Sequence, residues 1–153
     1  MARLLPDVSY IHTNLTSMST ETKIVCGVIL LTFSTIQYGG YFLLTILRNP
    51  AKHGLTDFQK SMFRAGHAHA GVIVMLSLIC EILSDYALLG SFSMWLVRSR
   101  TPMAAILISG GFFASASGKG ATKPNKFIWI LYFGIIILAT ALILLGVGLI
   151  RSA

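Results

Sequence analysis

The sequence predicts an all-α polytopic membrane protein: a bundle of four transmembrane helices with both termini on the non-cytoplasmic side. Three observations support this fold class. The 153 residues are 55% hydrophobic and only 11% charged, whereas a soluble domain is usually about 45–50% apolar and about 25% charged. Four apolar stretches alternate with short polar segments, and basic residues concentrate in two of those segments. Because lipid solvates apolar surface directly, the bilayer is the first partner that the sequence indicates.

The first element is a polar lead-in, residues 1–23, which we expect to lie outside the bilayer or on its surface. The first crossing follows over 24–47, since about 20 mainly apolar residues span the hydrocarbon. Asn49-Pro50 ends this crossing, because proline disfavours helical backbone in the residue before it.

The second crossing, 62–86, belongs to a helix that begins outside the hydrocarbon. Thr56 and Gln59 have the spacing of a capping box, in which each side chain bonds the backbone of the other residue. We therefore expect the helix to begin at Thr56 and to continue to about Leu89.

The third crossing, 102–118, is short and rich in Ala, Ser and Gly. Thr101 and Pro102 suit an N-cap and a first helical position. Residues 91–100 form a segment that is too short to cross the bilayer. Its sequence predicts an interfacial turn or a short amphipathic helix. The small side chains allow close backbone approach, so we expect this crossing at the centre of the bundle or in a homo-oligomeric interface.

The fourth crossing, 127–150, lies between basic residues on both sides. The net charge of +7 comes from such residues between apolar runs, which indicates membrane orientation and not nucleic-acid binding. The loops 48–60 and 118–126 carry more Lys and Arg than the opposite side, so we place these loops in the cytoplasm. The expected location is a bacterial inner membrane.

The candidate functional residues lie at the cytoplasmic start of the second crossing. Arg64 and His67 are about one helical turn apart and share a face. His67 and His69 point about 200° apart, so they do not both ligate one metal from one regular helix.

Polar and aromatic residues at similar depth on the other helices predict one pocket open to the cytoplasm. Its expected lining residues are Gln37, Tyr38, Tyr41, Ser115, Asn125, Trp129 and Tyr132. Such a pocket suits haem b or a metal ion, with Arg64, His67 and His69 as the binding residues. The same side chains also suit a packing network that binds no ligand. Glu81 lies about 21 Å from His67 at the helical rise, and Glu81 and Asp85 are expected to pair with Lys23, Arg98 or Arg100.

Three resemblances appear at these residues. The stretch from His67 to Gly71 resembles histidine-bearing helix starts in proteins related to haem–copper oxidases, which implies His67 or His69 as an axial haem ligand. The whole chain is similar to small bacterial four-helix membrane proteins that carry an Arg-Ala-Gly-His-Ala-His-Ala-Gly stretch. That likeness implies no activity.

The layout also resembles the microsomal glutathione transferase (MAPEG-like) family, through the stretch from Arg64 to His69 and through Pro124-Asn125-Lys126. This resemblance implies a trimer that binds glutathione. Arg64 would then hold the anionic cosubstrate, and Tyr132 or Tyr41 would hydrogen-bond a thiolate.

Three function hypotheses follow. The leading one is a small integral membrane protein that acts as an accessory subunit of a larger complex, or as a haem- or metal-binding protein. The alternative is a membrane-bound enzyme that resembles glutathione transferases. A further alternative is transport of protons or small solutes through the polar pocket.

Overall fold

The computed structural model describes residues 18–153, and within this range the chain is all-helical. The helices are α1 (Thr20–Arg48), α2 (Pro50–His53), α3 (Asp57–Ser84), α4 (Ser91–Ser115) and α5 (Ile128–Ser152). Of the predicted lead-in, residues 1–17 lie outside the described part of the chain, and residues 20–23 belong to α1.

Three of the described helices, α1, α3 and α5, are long and apolar enough to cross a membrane. Their polar boundaries have local causes. At the start of α3, the Thr56 hydroxyl accepts from the Gln59 amide, and the Gln59 side chain accepts from the Thr56 amide. Both hydrogen bonds of the predicted capping box are therefore present. Between α1 and α3, Pro50 occupies the first position of the short α2, where its missing N–H costs nothing.

Helix α4 differs from the sequence-based expectation. Residues 91–100 are neither a turn nor a separate short helix, because α4 continues from Ser91 through Pro102 to Ser115. Thr101 and Pro102 therefore lie inside the helix and do not begin it. The reason is tertiary packing: Val97, Thr101 and Ala104 are almost completely buried, so continuing the helix covers more surface than breaking it at proline.

The core of the bundle is formed by α3, α4 and α5, with α4 packed extensively against both neighbours. Two glycines permit the close approach of α4 and α5. A Cβ added at Gly111 would lie 2.6 Å from the Leu131 backbone nitrogen, and one at Gly134 would lie 2.8 Å from Ile108 Cγ1. The small residues of α4 therefore pack at the centre of the bundle, which was one of the two predicted locations.

Helix α1 is the peripheral element and packs on α3. Only four of its side chains are buried: Thr22, Cys26, Ile29 and Ile46. We call the end of the bundle with the starts of α1 and α4 the terminal end. The opposite end, with α2 and residues 116–127, is the loop end.

Candidate functional site

His67 packs between α3 and α1 at the loop end. A Cβ added at Gly40 would lie 3.3 Å from His67 Nε2, and one at Gly39 would lie 3.4 Å from His67 Nδ1. The two glycines thus leave room on α1 for the imidazole, and the half-buried ring fills the space between the two helices.

Arg64 and His69, the other two predicted binding residues, are exposed. His69 Nδ1 lies 2.7 Å from the Ala65 carbonyl oxygen, and its ring packs on Phe112 at a centroid distance of 4.8 Å. The Arg64 side chain has no hydrogen bond or ion pair to any residue in the range 18–153. The three residues therefore lie in different environments and do not meet.

The predicted lining residues also separate. Ser115 and Asn125 lie together, because the backbone N–H of Asn125 donates to the Ser115 carbonyl oxygen at 2.8 Å. This hydrogen bond holds the loop that precedes α5. The others lie on outward faces: Gln37, Tyr38, Tyr41, Trp129 and Tyr132 are all exposed. Trp129 and Tyr132 pack edge to face at 5.5 Å, which suits aromatic residues near a membrane surface.

The described part of the chain contains no group of three or more His, Cys, Asp and Glu residues placed to hold a metal ion. Ligation of haem b or a metal by His67 or His69 stays a prediction, as does glutathione binding at Arg64.

The structure gathers buried polar groups at the terminal end instead. We call this group the Arg98 cluster, and its members come from the start of α1, the end of α3 and the first half of α4. They are Ser19, Thr22, Glu81, Ser84, Asp85 and Arg98. The predicted pairing of Glu81 and Asp85 with an arginine is confirmed, and the partner is Arg98.

Asp85 is the well-bonded carboxylate of the Arg98 cluster. Its Oδ1 accepts from Arg98 Nη2 at 2.6 Å and from Thr22 Oγ1 at 2.8 Å, and its Oδ2 accepts from the Ser19 amide at 2.9 Å. Burial raises the pKa of Asp85, but these hydrogen bonds and the Arg98 charge together outweigh burial and lower the pKa. Asp85 thus fastens the start of α1 to the end of α3.

Glu81 has the opposite environment. Its side chain is 1% exposed, and neither carboxyl oxygen has a hydrogen-bond partner among residues 18–153. Arg98 Nε lies 3.3 Å from Glu81 Oε1, but its single N–H donates to Ser84 Oγ at 3.1 Å. The contact between Arg98 and Glu81 is therefore electrostatic only.

A lateral cleft lies beside the Arg98 cluster and nearer the middle of the bundle. Its volume is about 370 Å³, and almost all of its lining is apolar. It lies between α1 and α4 with α3 as its floor, and its lining residues include Val28, Ile29, Ile36, Ala70, Val74, Pro102, Ala105 and Ser109. Ser109 Oγ is a buried hydroxyl without a hydrogen-bond partner in the described chain.

A second cavity, of about 550 Å³, continues between α1 and α4 toward the terminal end. It is more polar, and its lining residues are Glu21, Val25, Ser91, Met94, Trp95, Arg98 and Ser99. One helical turn separates Val25 from Val28 on α1, and Arg98 from Pro102 on α4. The two cavities therefore follow one another along the same pair of helices, and we call this face of the bundle the α1–α4 seam. Along α1 it extends from Glu21 to Ile36, about 22 Å at the helical rise.

Sequence reasoning included Arg98 among three possible partners of Glu81 and Asp85, but it missed the full burial of Glu81 and the lateral cleft. The spacing of Glu81 and Asp85 on one face of α3, opposite an arginine, was the available signal. No family model, curated protein or solved structure matches this chain.

Proposed function

We propose that this protein is a small, non-enzymatic integral membrane protein that binds one membrane amphiphile along the α1–α4 seam. The hydrocarbon chain occupies the lateral cleft, and the polar head occupies the outer cavity. The observation that carries the proposal is the apolar cleft of about 370 Å³, which lies within the size range of small-molecule sites, about 300–1,000 Å³.

Hydrocarbon suits the cleft because of its lining and its depth. Val28 to Ile36 form the middle of α1, and Ala70, Val74 and Ala105 face them from α3 and α4. Four hydroxyl groups also line the cleft, but those of Thr32, Thr35 and Ser77 already donate to carbonyl oxygens of their own helices, so the surface that meets a ligand is mainly apolar. Lipid chains surround this depth of the bundle, so the cleft fills from the bilayer without exposing the ligand to water.

The outer cavity supports an amphiphile over a plain hydrocarbon. It offers a carboxylate from Glu21, part of the Arg98 guanidinium, and two serine hydroxyls. Trp95 lies on the same wall, and indole rings favour the headgroup level of a bilayer. A head at this level and a chain in the lateral cleft have the same order along the membrane normal as a lipid.

The topology that goes with this proposal has α4 as a fourth crossing and both termini on the non-cytoplasmic side of a bacterial inner membrane. Helix α4 has 25 residues, the same length as α5 beside it. The loop end carries more basic residues than the terminal end, which favours its cytoplasmic placement. In this arrangement the protein acts as an accessory subunit or a carrier, alone or as a homo-oligomer.

Mass spectrometry of the purified protein tests the proposal. We expect about one amphiphile per chain to remain bound after extraction in a mild detergent and exchange into a detergent with a short chain. Ala70→Phe fills the lateral cleft from its floor and should remove the bound molecule.

The matched control is Ala68→Phe, which adds the same ring to an exposed position two residues away on another face of α3. This variant should keep its amphiphile. Equal occupancy in both variants, or a wild-type protein without a bound amphiphile, would contradict the proposal.

A further inference from the structure

We propose that Glu81 is a proton-binding site. In the resting protein its carboxyl group carries a proton, so Glu81, Arg98 and Asp85 together are electrically neutral. The inference rests on the contacts of the Arg98 cluster and does not depend on the occupant of the α1–α4 seam.

The first argument is a charge count. Within the described residues 18–153, the charged and titratable groups that face Glu81 are Cys26 from α1, Cys80 and Asp85 from α3, and Arg98 from α4. From α5, Leu145 packs against Cys80 in the same layer and brings no charge. Two carboxyl groups thus share a single guanidinium, and one proton balances the buried charge.

The second argument is the unequal distribution of hydrogen bonds. Asp85 accepts three, from Arg98, Thr22 and the Ser19 amide, as an ionised carboxylate requires. Glu81 accepts none within the described residues. A buried carboxylate without donors is far less stable than a buried neutral carboxyl, so the proton belongs on Glu81 and the negative charge on Asp85.

The third argument concerns access. Glu81 is 1% exposed, which excludes any ligand larger than a proton while the terminal end is closed. On release, the O–H bond of Glu81 breaks, the electron pair stays on the carboxylate and the proton passes to water. The cluster then carries one excess negative charge, which favours separation of α1 or α4 from α3. Proton occupancy and closure of the terminal end are therefore linked.

Infrared spectroscopy of the full-length protein in detergent at neutral pH tests this inference. We expect a carbonyl stretching band of a protonated carboxyl group, which shifts in heavy water. Glu81→Gln should abolish the band. Asp85→Asn leaves one carboxyl group beside Arg98, so by the same charge count Glu81 should ionise and the band should weaken. Glu21→Gln and Asp57→Asn change two exposed carboxyl groups and should leave the band in place.

Thermal unfolding gives an independent measurement. Glu81→Gln has the shape and charge of the protonated side chain, so we expect its Tm to stay within about 3 °C of the wild type. Asp85→Asn removes an ionised partner and should lower the Tm by about 6 °C or more. Absence of the band from the wild type, its survival in Glu81→Gln, or equal loss of Tm in both variants would overturn the inference. If Glu81→Gln does not fold, wild-type protein with isotope-labelled glutamate side chains decides, because the label shifts the band only if a glutamate, and not Asp85, carries the proton.

Discussion

The two ends of α3 both carry ionisable residues, but in opposite settings. At the loop end, Arg64 and His69 are exposed, and His67 fills a space beside two glycines. At the terminal end, Glu81 and Asp85 are enclosed by hydroxyl groups and by Arg98 from a neighbouring helix. Burial of a charge is costly unless partners surround it. At the terminal end, hydrogen bonds and an ion pair from neighbouring helices supply such partners to Asp85.

The difference teaches that residue type alone does not locate a site. Histidines suggest chemistry more readily than a Glu and an Asp do, because of their pKa and their role as metal ligands. Among residues 18–153, however, the buried side chains without a hydrogen-bond partner are Glu81, at the terminal end, and Ser109, beside the lateral cleft.

Removing Arg98 should produce the largest difference between the two ends. Arg98→Met leaves the Asp85 carboxylate without its cation, and a broken buried pair costs about 3–5 kcal/mol. Arg64→Met is the matched change at the loop end and should leave stability unchanged, because Arg64 is exposed. Thermal unfolding of both variants in the same detergent measures the contrast. Similar Tm values for the two variants would refute it.

Substitution of Gln59 tests whether hydrogen bonds at the loop end also stabilise the fold. Its side chain is 4% exposed and donates to the carbonyl oxygens of Ala116 at 3.0 Å and Gly118 at 2.8 Å. Gln59→Leu leaves these acceptors unpaired and should cost about 1–3 kcal/mol. Gln37→Leu, at an exposed position of α1, is the control. A Gln59→Leu protein with wild-type Tm would show that the loop does not depend on this residue.

Acid should weaken the terminal end by a smaller amount, because one carboxylate carries the effect. The pKa of Asp85 is lowered in the folded protein, so its contribution to stability is present above the ordinary pKa of 3.8. This contribution is lost as the pH falls through the lower folded value. We expect the Tm difference between wild type and Asp85→Asn to shrink below about pH 4. A difference that is constant from neutral to acid pH would contradict the ionised state of Asp85.

His69 should give the smallest effect. Its exposed ring packs on Phe112, so His69→Ala should cost at most about 1 kcal/mol. Absorbance spectra of the wild type and this variant sharpen the comparison. A Soret band in the wild type that disappears in His69→Ala would support His69 as the predicted haem ligand. The functional site would then lie at the loop end.

Local signals in the sequence predicted part of the fold and missed another part. The capping box of Thr56 and Gln59 is a short-range pattern, and it located the start of α3 correctly. Pro102 is also a short-range signal, but the burial of Val97 and Ala104 between α3 and α5 outweighed it. Such tertiary packing cannot be read from the residues around a proline.

The candidate site was predictable to a similar extent. The acidic pair on α3 predicted a basic partner among Lys23, Arg98 and Arg100, and the structure shows Arg98. Glu81 lacks a hydrogen bond from Arg98 because the Arg98 Nε–H points to Ser84 Oγ. The direction of this N–H cannot be read from the sequence. The lateral cleft depends on a gap between α1 and α4, which are not adjacent in sequence. Neither feature has a periodic signature in the chain.

The length of α1 has a consequence for the membrane around it. A helix of 29 residues is about 43 Å long, whereas the hydrocarbon core is about 30 Å thick. Helices accommodate such mismatch by tilting, and thinner bilayers demand more tilt. Because α1 is held to α3 by Asp85 at one end and contacts His67 near the other, its tilt changes its distance from α4. We therefore expect the width of the α1–α4 seam to change with the thickness of the bilayer.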